Sequence, residues 1–579
     1  MQQVQPTAEE SHGRCMEMER KYHLAFAYWT VTMAMSRVLD IRSRDFCNPT
    51  SGDGISAGLH NKPQFTNSRT IRMSRRALGI ICWFLLYSIL SLDPLQAQTA
   101  DDQSTLAKAL ETISRGRLLS DISILSGPEF NGRQTGSRND LTTALWFQEQ
   151  FRMAVQHPLD SHNRQPSNVL PESTLTRSVH VSSIAAVPVV QIGTTSDNPA
   201  AELGADYLPI LDSPSINLRA QIAFVGYGIA DPASGFDEYD GIDVHNRIVL
   251  FLRGKPEHYA ALVSHADKVR TAKAKGAVGY LTATGPVLSA YEARRGMTGR
   301  PSALYGLTDV DMSLAGAWIS TDIASRILTD HDHEPGHPPS LRELQETINR
   351  TLHPQSRMTD VDAKLSWLTE QTSGMLYTLP ITFPSTEEDA GGDTIIIGAH
   401  RDHFGRQAGL LFPGADDNAS GTAVLLEVAR VLRQTGAHPK RRILFLSFSG
   451  EEQGLLGSRL YVEQPLIPLK RTKAMINIDH VGVGNGRLTV GMTGFEKSVA
   501  VQAGQAAGLG DKLDLYGFFP GGDHVPFKEA GVPTVTVVSA GVHPQFHQPS
   551  DRADTLDPEI LVAATRYVLA LTWQLANAP

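Results

Sequence analysis

Thr394-Ile395-Ile396-Ile397-Gly398-Ala399-His400-Arg401-Asp402 is the stretch on which the fold turns. Its apolar run Thr394–Gly398 shows no in–out alternation, so it reads as a strand buried on both faces, and it ends on a histidine and a carboxylate. Working outward, Gly414-Ala415-Asp416-Asp417-Asn418-Ala419-Ser420-Gly421 leads into a helical pattern over Thr422–Leu432. A second apolar strand, Arg442–Phe448, runs into Ser449-Gly450-Glu451-Glu452; a third, Ala474–Ile478, runs into Asp479; a fourth, Thr534–Val538, precedes His547. Continuous apolar strands alternating with helices predict an α/β fold with a mostly parallel mixed sheet flanked by helices.

In an open α/β sheet, ligands bind beyond the carboxyl ends of the strands. His400, Glu451, Glu452 and Asp479 fall at or just after such ends, the fourth strand precedes His547, and Asp417 lies just before the helix starting near Ser420. Taken singly each has an ordinary explanation. A histidine after a strand often only makes a hydrogen bond, and acids before Ala419-Ser420-Gly421 suit any helix N-terminus. Their joint occurrence, in order, points to a metal centre. A nitrogen and oxygen donor set without sulfur suits zinc or another divalent first-row metal.

Upstream, Ser104–Met153 has a helical pattern broken by the polar turn Phe130–Ser137, and 154–175 reads as a loop. Short β-type runs follow at Val187–Ile192, Gln221–Gly228 and Arg247–Gly254, then a helix near His265–Lys275 and a strand at Ala277–Leu281. They outline a β-rich α+β module over 196–354, closed off by the His- and Pro-rich stretches near 333–339 and 353–355. The expected division is 98–195 as the first part of the main domain, 196–354 as the insert and 355–579 as the catalytic part.

With 579 residues the chain exceeds one ordinary core. A formal charge of −9, without a clustered basic surface, excludes a nucleic-acid footprint. Met73-Ser74-Arg75-Arg76 followed by apolar residues 77–92 and Ala97-Gln98 has the layout of a signal peptide over 73–97, cleaved after Ala97. The apolar run is shorter than the roughly 20 residues that span a bilayer, so no stable membrane insertion is expected after cleavage. Residues 1–72 read as an over-extended or disordered leader. Export to the periplasm or the extracellular space follows. Cleavage would also remove Cys15, Cys47 and Cys82, leaving neither disulfides nor thiolate ligands.

The motifs resemble those of the M28 family of co-catalytic zinc aminopeptidases, through Gly398–Asp402, Gly414–Gly421, Ser449–Ser458, Met475–Asp479 and Phe546-His547. Asn131-Gly132-Arg133 resembles the family's early Glu-Gly-Arg turn, and 196–354 resembles the protease-associated insert that several members carry. The resemblance implies the zinc exopeptidase fold and two zinc ions, with His400 and Asp479 on one, Glu452 and His547 on the other, and Asp417 bridging. Asp402 would hydrogen-bond His400, and Glu451 would be the general base acting on a water that the two ions activate. It implies a cis peptide at Asp417–Asn418 and the hydrolysis of N-terminal peptide bonds in peptide substrates. The chain departs from the pattern at Arg401 and Phe546, where tyrosine is common, at His480 for methionine, and at Gln548 for threonine. His403, His480, His524 and His543 are surplus histidines, expected to contact ligands or substrate rather than metal. A carboxypeptidase, a glutaminyl-cyclase-like transferase and a non-catalytic binding ectodomain on the same fold stay open, as do side-chain preference and oligomeric state.

Overall fold

The computed structural model describes residues 94–578 apart from 156–169, 186, 194–200, 290–291, 294–296, 308–309, 330–338, 384 and 386–391. The expected leader and most of the expected signal peptide, up to residue 93, lie outside the described residues, as does most of the loop expected at 154–175. Among the described residues no helix is long and apolar enough to cross a membrane.

In chain order the strands are β1 (Leu175–Ile184), β2 (Val189–Ile192), β3 (Tyr207–Pro209), β4 (Ile216–Phe224), β5 (Ala230–Asp231), β6 (Phe236–Asp237), β7 (Ile248–Leu252), β8 (Gly279–Ala283), β9 (Gly316–Ile319) and β10 (Arg357–Trp367). They continue with β11 (Thr369–Phe383), β12 (Thr394–His400), β13 (Gly405–Gln407), β14 (Leu410–Phe412), β15 (Arg442–Phe448), β16 (Thr472–Ile478), β17 (Leu488–Thr493), β18 (Leu513–Tyr516) and β19 (Thr534–Ser539). Most of them form two sheets.

The main sheet runs β1-β11-β15-β12-β16-β19-β17-β18. Its centre, β15-β12-β16-β19, is parallel throughout, and antiparallel pairs flank it on both sides. These four central strands are the ones the apolar runs predicted. Each is buried almost end to end because helices cover both faces. Gly421–Gln434, Arg115–Leu125, Arg138–Val155 and Pro558–Asn577 share one core with Ile395, Ile397 and Phe445. On the other face Tyr461 and Phe527 pack on Ile396, Leu444 and Met475. The α/β architecture with a mixed sheet is as the sequence predicted.

The second sheet runs β2-β10-β4-β7-β8-β9-β3 and has its own core. It draws on residues from Val189 to Trp367, so the boundaries expected at 196 and 354 fall inside it. The Pro-rich stretch near 353–355 is a short irregular link from the helix Leu341–Thr351 into β10, not the end of the module. β10 buries Val361, Ala363, Leu365 and Trp367 on alternate positions, and Asp360, Asp362, Lys364 and Ser366 point the other way. That period-two pattern is the mark of a half-buried antiparallel strand. The chain passes between the sheets twice, from β1 to β2 and from β10 to β11, with Leu368 alone separating the latter pair.

Inside the second unit His265 packs against Phe251 and Tyr280, with ring centroids 5.8 and 5.5 Å away. Burial lowers its pKa from 6.5 to about 3. The folded chain therefore binds one proton fewer than the unfolded chain between those values. Stability is full above pH 6.5 and falls as pH drops towards 3. His265→Phe should remove about 1–2 kcal/mol of the stability lost between pH 6.5 and 5, allowing for the ring's partial exposure. Urea unfolding at the two pH values checks this; an unchanged pH dependence in the variant contradicts it.

Candidate metal centre

The C-terminal ends of the parallel strands converge on one cleft. β12 ends on His400, β15 leads to Glu451 and Glu452, β16 leads to Asp479, and the loop after β19 brings in His547. Asp417 comes from the turn Ala415–Ser420, which enters the helix Gly421–Gln434 and holds a cis peptide at Asp417–Asn418. The structure thus gathers all six of these sequence-predicted residues.

Asp417 stands at the centre. His400 Nε2 lies 3.4 Å from its Oδ1, and His547 Nε2 lies 2.9 Å from its Oδ2. On the first side, Asp479 Oδ1 is 3.2 Å from His400 Nε2. On the second, Glu452 Oε2 is 3.5 Å from His547 Nε2. The donor atoms of His400, Asp417 and Asp479 lie within 4.8 Å of one another, as do those of His403, Asp417 and Glu452. Two donor groups therefore share one carboxylate, each of whose oxygens faces a different group.

The remaining contacts hold these donors in place. Asp551 accepts the main-chain N–H of Asp416 on Oδ1 at 2.8 Å and that of Asp417 on Oδ2 at 3.0 Å. The fully buried Arg133 donates to the carbonyls of Leu125, Arg401, Pro413 and Gly414 at 2.6–2.7 Å, tying the exit of β12 to the Asp417 turn. Arg401 donates to Asp140 at 2.7 Å and to the carbonyl of Phe448 at 3.0 Å, so the arginine at this position locks β12 to β15. Burial raises the pKa of Asp140 to about 6, against the pull of Arg401.

Asp402 differs from expectation in detail. His400 Nδ1 lies 3.3 Å from its main-chain oxygen and 3.6 Å from its carboxylate. The carboxylate instead accepts from the Thr135 hydroxyl at 2.8 Å and from the Glu451 N–H at 3.4 Å. Asp402 thereby supports both the histidine and the Glu451 loop. The physical reason is the strand end itself, which turns the chain so that the carbonyl passes closer to the ring.

The surplus histidines sit around the donor groups. His403 Nδ1 is 2.8 Å from Glu452 Oε1, and burial holds the ring well below its ordinary pKa, so it is neutral and donates to that carboxylate. His543 has both nitrogens engaged, by Asp416 at 2.6 Å and the Ser539 carbonyl at 3.1 Å. His524 Nε2 donates to the Phe519 carbonyl at 2.7 Å. His480 lies 3.5 Å from Asp479 and 3.6 Å from Asp417, with its ring against Phe546. Asp416, His480 and His543 form a third donor group within 4.8 Å, but the engaged nitrogens of His543 make it a weaker metal candidate.

The donors fit divalent metal. Asp417 Oδ1 is buried without a hydrogen-bond partner, a costly state that a cation would relieve. Burial raises the pKa of Glu451 and Glu452 well above the ordinary carboxylate range, and neighbouring carboxylates, including Asp417, add to it. Burial works against protonation of His400, yet Asp479 and Asp402 outweigh it and raise its pKa. So much negative charge in one enclosed place calls for cations.

Several supports were not read from the sequence. Asp551 had a signal, an acid four residues after His547 in the same loop. Thr135 and Asp140 had none, because their partners lie more than 250 residues away. Asp523 is buried beside the cluster, which raises its pKa to about 7 and adds to that of Glu451. A cavity of about 110 Å³ opens next to Glu451, lined by Phe519, Thr536, Val538, His480 and Phe546.

Residues 382–572 match the family model described as Peptidase family M28. The chain is 32% identical over 193 residues to Aminopeptidase YwaD of Bacillus subtilis (strain 168), covering 31% of this chain and 41% of that protein. It is 31% identical over 198 residues to a probable leucine aminopeptidase of Arthroderma otae, covering 32% and 54%. The chain thus spans about half the length of the curated relatives it matches. Among solved structures, the aminopeptidase from Aneurinibacillus sp. strain AM-1 superposes with a TM-score of 0.55 at 22% identity, over 82% of this chain and 96% of that one. A Peptidase M28 precursor from Shewanella amazonensis SB2B gives 0.54 at 16% identity, over 83% and 97%. These two likenesses show a shared fold.

Proposed function

We propose that this chain, whose residues 382–572 match the model of peptidase family M28, is a member of that family and an exported two-zinc aminopeptidase. The observation that carries this reading is the pair of donor groups meeting on Asp417, with Glu451 beside them. His400 and Asp479 would hold one ion, Glu452 and His547 the other, and Asp417 both. Two such ions supply Lewis-acid chemistry, lowering the pKa of water and polarising a carbonyl.

The rest falls to the protein. Glu451 takes the proton of the attacking water and returns it to the departing amine. Asp402 and Thr135 fix the loop that carries Glu451. The cavity lined by Phe519, Val538 and Phe546 suits an apolar side chain on the residue released. Phe546 has no hydroxyl, so the tyrosine donor that the family resemblance implies is missing; the rings of His547 and His480 lie against it, with centroids 3.7 and 5.1 Å away. The second sheet would be a protease-associated insert, 73–97 the export signal, and the substrates peptides.

Release of the first residue from peptides with free amines, and not from N-acetylated copies, tests the proposal. Loss of that release with chelator is the expected result. Release from the carboxyl end, or ammonia from an N-terminal glutamine, would instead identify a carboxypeptidase or a cyclase.

A further inference from the structure

The segment 301–307 belongs to the second unit in sequence but reaches the metal centre. On one side it is anchored to that unit: the Leu211 N–H donates to the Leu304 carbonyl at 2.9 Å, and Asp212 accepts from the N–H groups of Gly306 and Leu307 at 2.5 and 2.9 Å. On the other side it grips the loop that carries His547. The Ala303 N–H donates to the His547 carbonyl at 3.0 Å, and His547 Nδ1 lies 2.9 Å from the Ala303 carbonyl. Gln548 donates to the Pro301 carbonyl at 2.6 Å and to the Ser302 hydroxyl at 3.0 Å. Tyr305 and Phe404 pack beneath, and the Phe404 ring stands 4.6 Å from that of His547.

Two consequences follow from elementary chemistry. A carbonyl only accepts, so Nδ1 of His547 must carry the proton and Nε2 the lone pair. It is Nε2 that faces Asp417 and Glu452. Second, His547 has φ +55°, in the left-handed region that side chains enter at a cost, so its backbone needs outside support. Ala303 supplies both the tautomer and the support, and Gln548 holds Ala303's segment in place. The glutamine that departs from the family pattern therefore has a partner, in the inserted unit, 247 residues away.

We infer that the second unit tunes one half of the metal centre: through Ala303 and Gln548 it orients His547, and so sets the affinity of the ion that His547 and Glu452 would share. Ala303 and Gln548 are positioning residues, since neither reaches the cleft's reacting atoms. The inference rests on the two-ion reading above.

The test is metal affinity, measured without substrate. Apo protein is titrated with Zn²⁺ against a competing chelator, for the full chain and for Gln548→Met and Ala303→Pro, with apo melting curves to check folding. Changes around a ligand histidine's partner typically cost 10–100-fold in metal affinity. One of the two binding steps should weaken by about that factor in each variant that melts like the parent, and the other should stay within about threefold. The visible spectrum of the Co²⁺-loaded variants should change in the same step. Two unchanged steps, or two steps weakened in parallel, would overturn the inference. A parent chain that binds fewer than two ions would overturn the two-ion reading and the clamp with it.

Discussion

Replacing Glu451 by glutamine is expected to lower kcat by about 10²–10⁴-fold, the usual contribution of a positioned general base, while bound metal stays at the parental level. The two neighbouring glutamates make the contrast informative. Glu452 faces His547 at 3.5 Å and takes a hydrogen bond from His403 at 2.8 Å, so its carboxylate sits among the donors. Glu451 belongs to neither shared donor group and lines the cavity instead. Glutamine keeps the shape of Glu451 but cannot accept a proton. Glu452→Gln should lose metal first and activity as a consequence. Elemental analysis beside steady-state kinetics separates the two. Loss of metal in Glu451→Gln at full apo stability would make Glu451 a ligand instead of a base.

The second large effect is structural. Arg133→Leu should lower stability by about 3–5 kcal/mol, because several buried carbonyls lose their donor and each buried group left unsatisfied costs about 1–3 kcal/mol. Arg133 is fully buried and donates to four main-chain carbonyls on three separate segments: the end of the helix Arg115–Leu125, the exit of β12, and the turn before Asp417. Leucine would take this donor from all four carbonyls, leaving Gly414 only the Ala419 N–H at 3.2 Å. Arg133→Lys should recover only part of the loss, because one ammonium cannot reproduce the flat fork of a guanidinium. The midpoint of urea unfolding measures this; a leucine variant within about 1 kcal/mol of the parent would show that the carbonyls find other donors.

What was legible in the sequence follows from how each part is buried. The central strands were readable because Ile395, Ile396 and Ile397, or Leu444, Phe445 and Leu446, lie in unbroken apolar runs that only a doubly covered sheet requires. His400, Glu451, Glu452 and Asp479 stood out because they end or follow those runs directly. β1, β10 and β11 were not, since their apolar residues are interleaved with polar ones, Asp360, Asp362 and Lys364 in β10 or Thr176, Ser178 and His180 in β1, and such strands resemble loops when read alone. The insert's edges went wrong for the same reason: proline and histidine near 353–355 resemble a linker, and only pairing with β4 reveals that the next residues continue the module.

The supports of the site were hidden by a different cause. Asp551, Thr135 and Gln548 act on main-chain atoms or on residues far away in sequence, and a carbonyl leaves no trace in the one-letter code. Arg133 stands out only through the resemblance of Asn131-Gly132-Arg133 to the family's Glu-Gly-Arg turn, and its acceptors become visible only with the fold. Gln548 is the clearest example. It was noted as a departure from a family pattern, and the inserted unit supplies its explanation.

The most direct test of the whole account is a titration of the metal-free chain with Zn²⁺ while release of the N-terminal residue from a free peptide is followed. No release is expected at the start, and a plateau at two equivalents of metal per chain. A plateau at one equivalent would contradict the shared role of Asp417. Full release without metal, or two ions bound with no release, would contradict the assignment of the site to aminopeptidase chemistry.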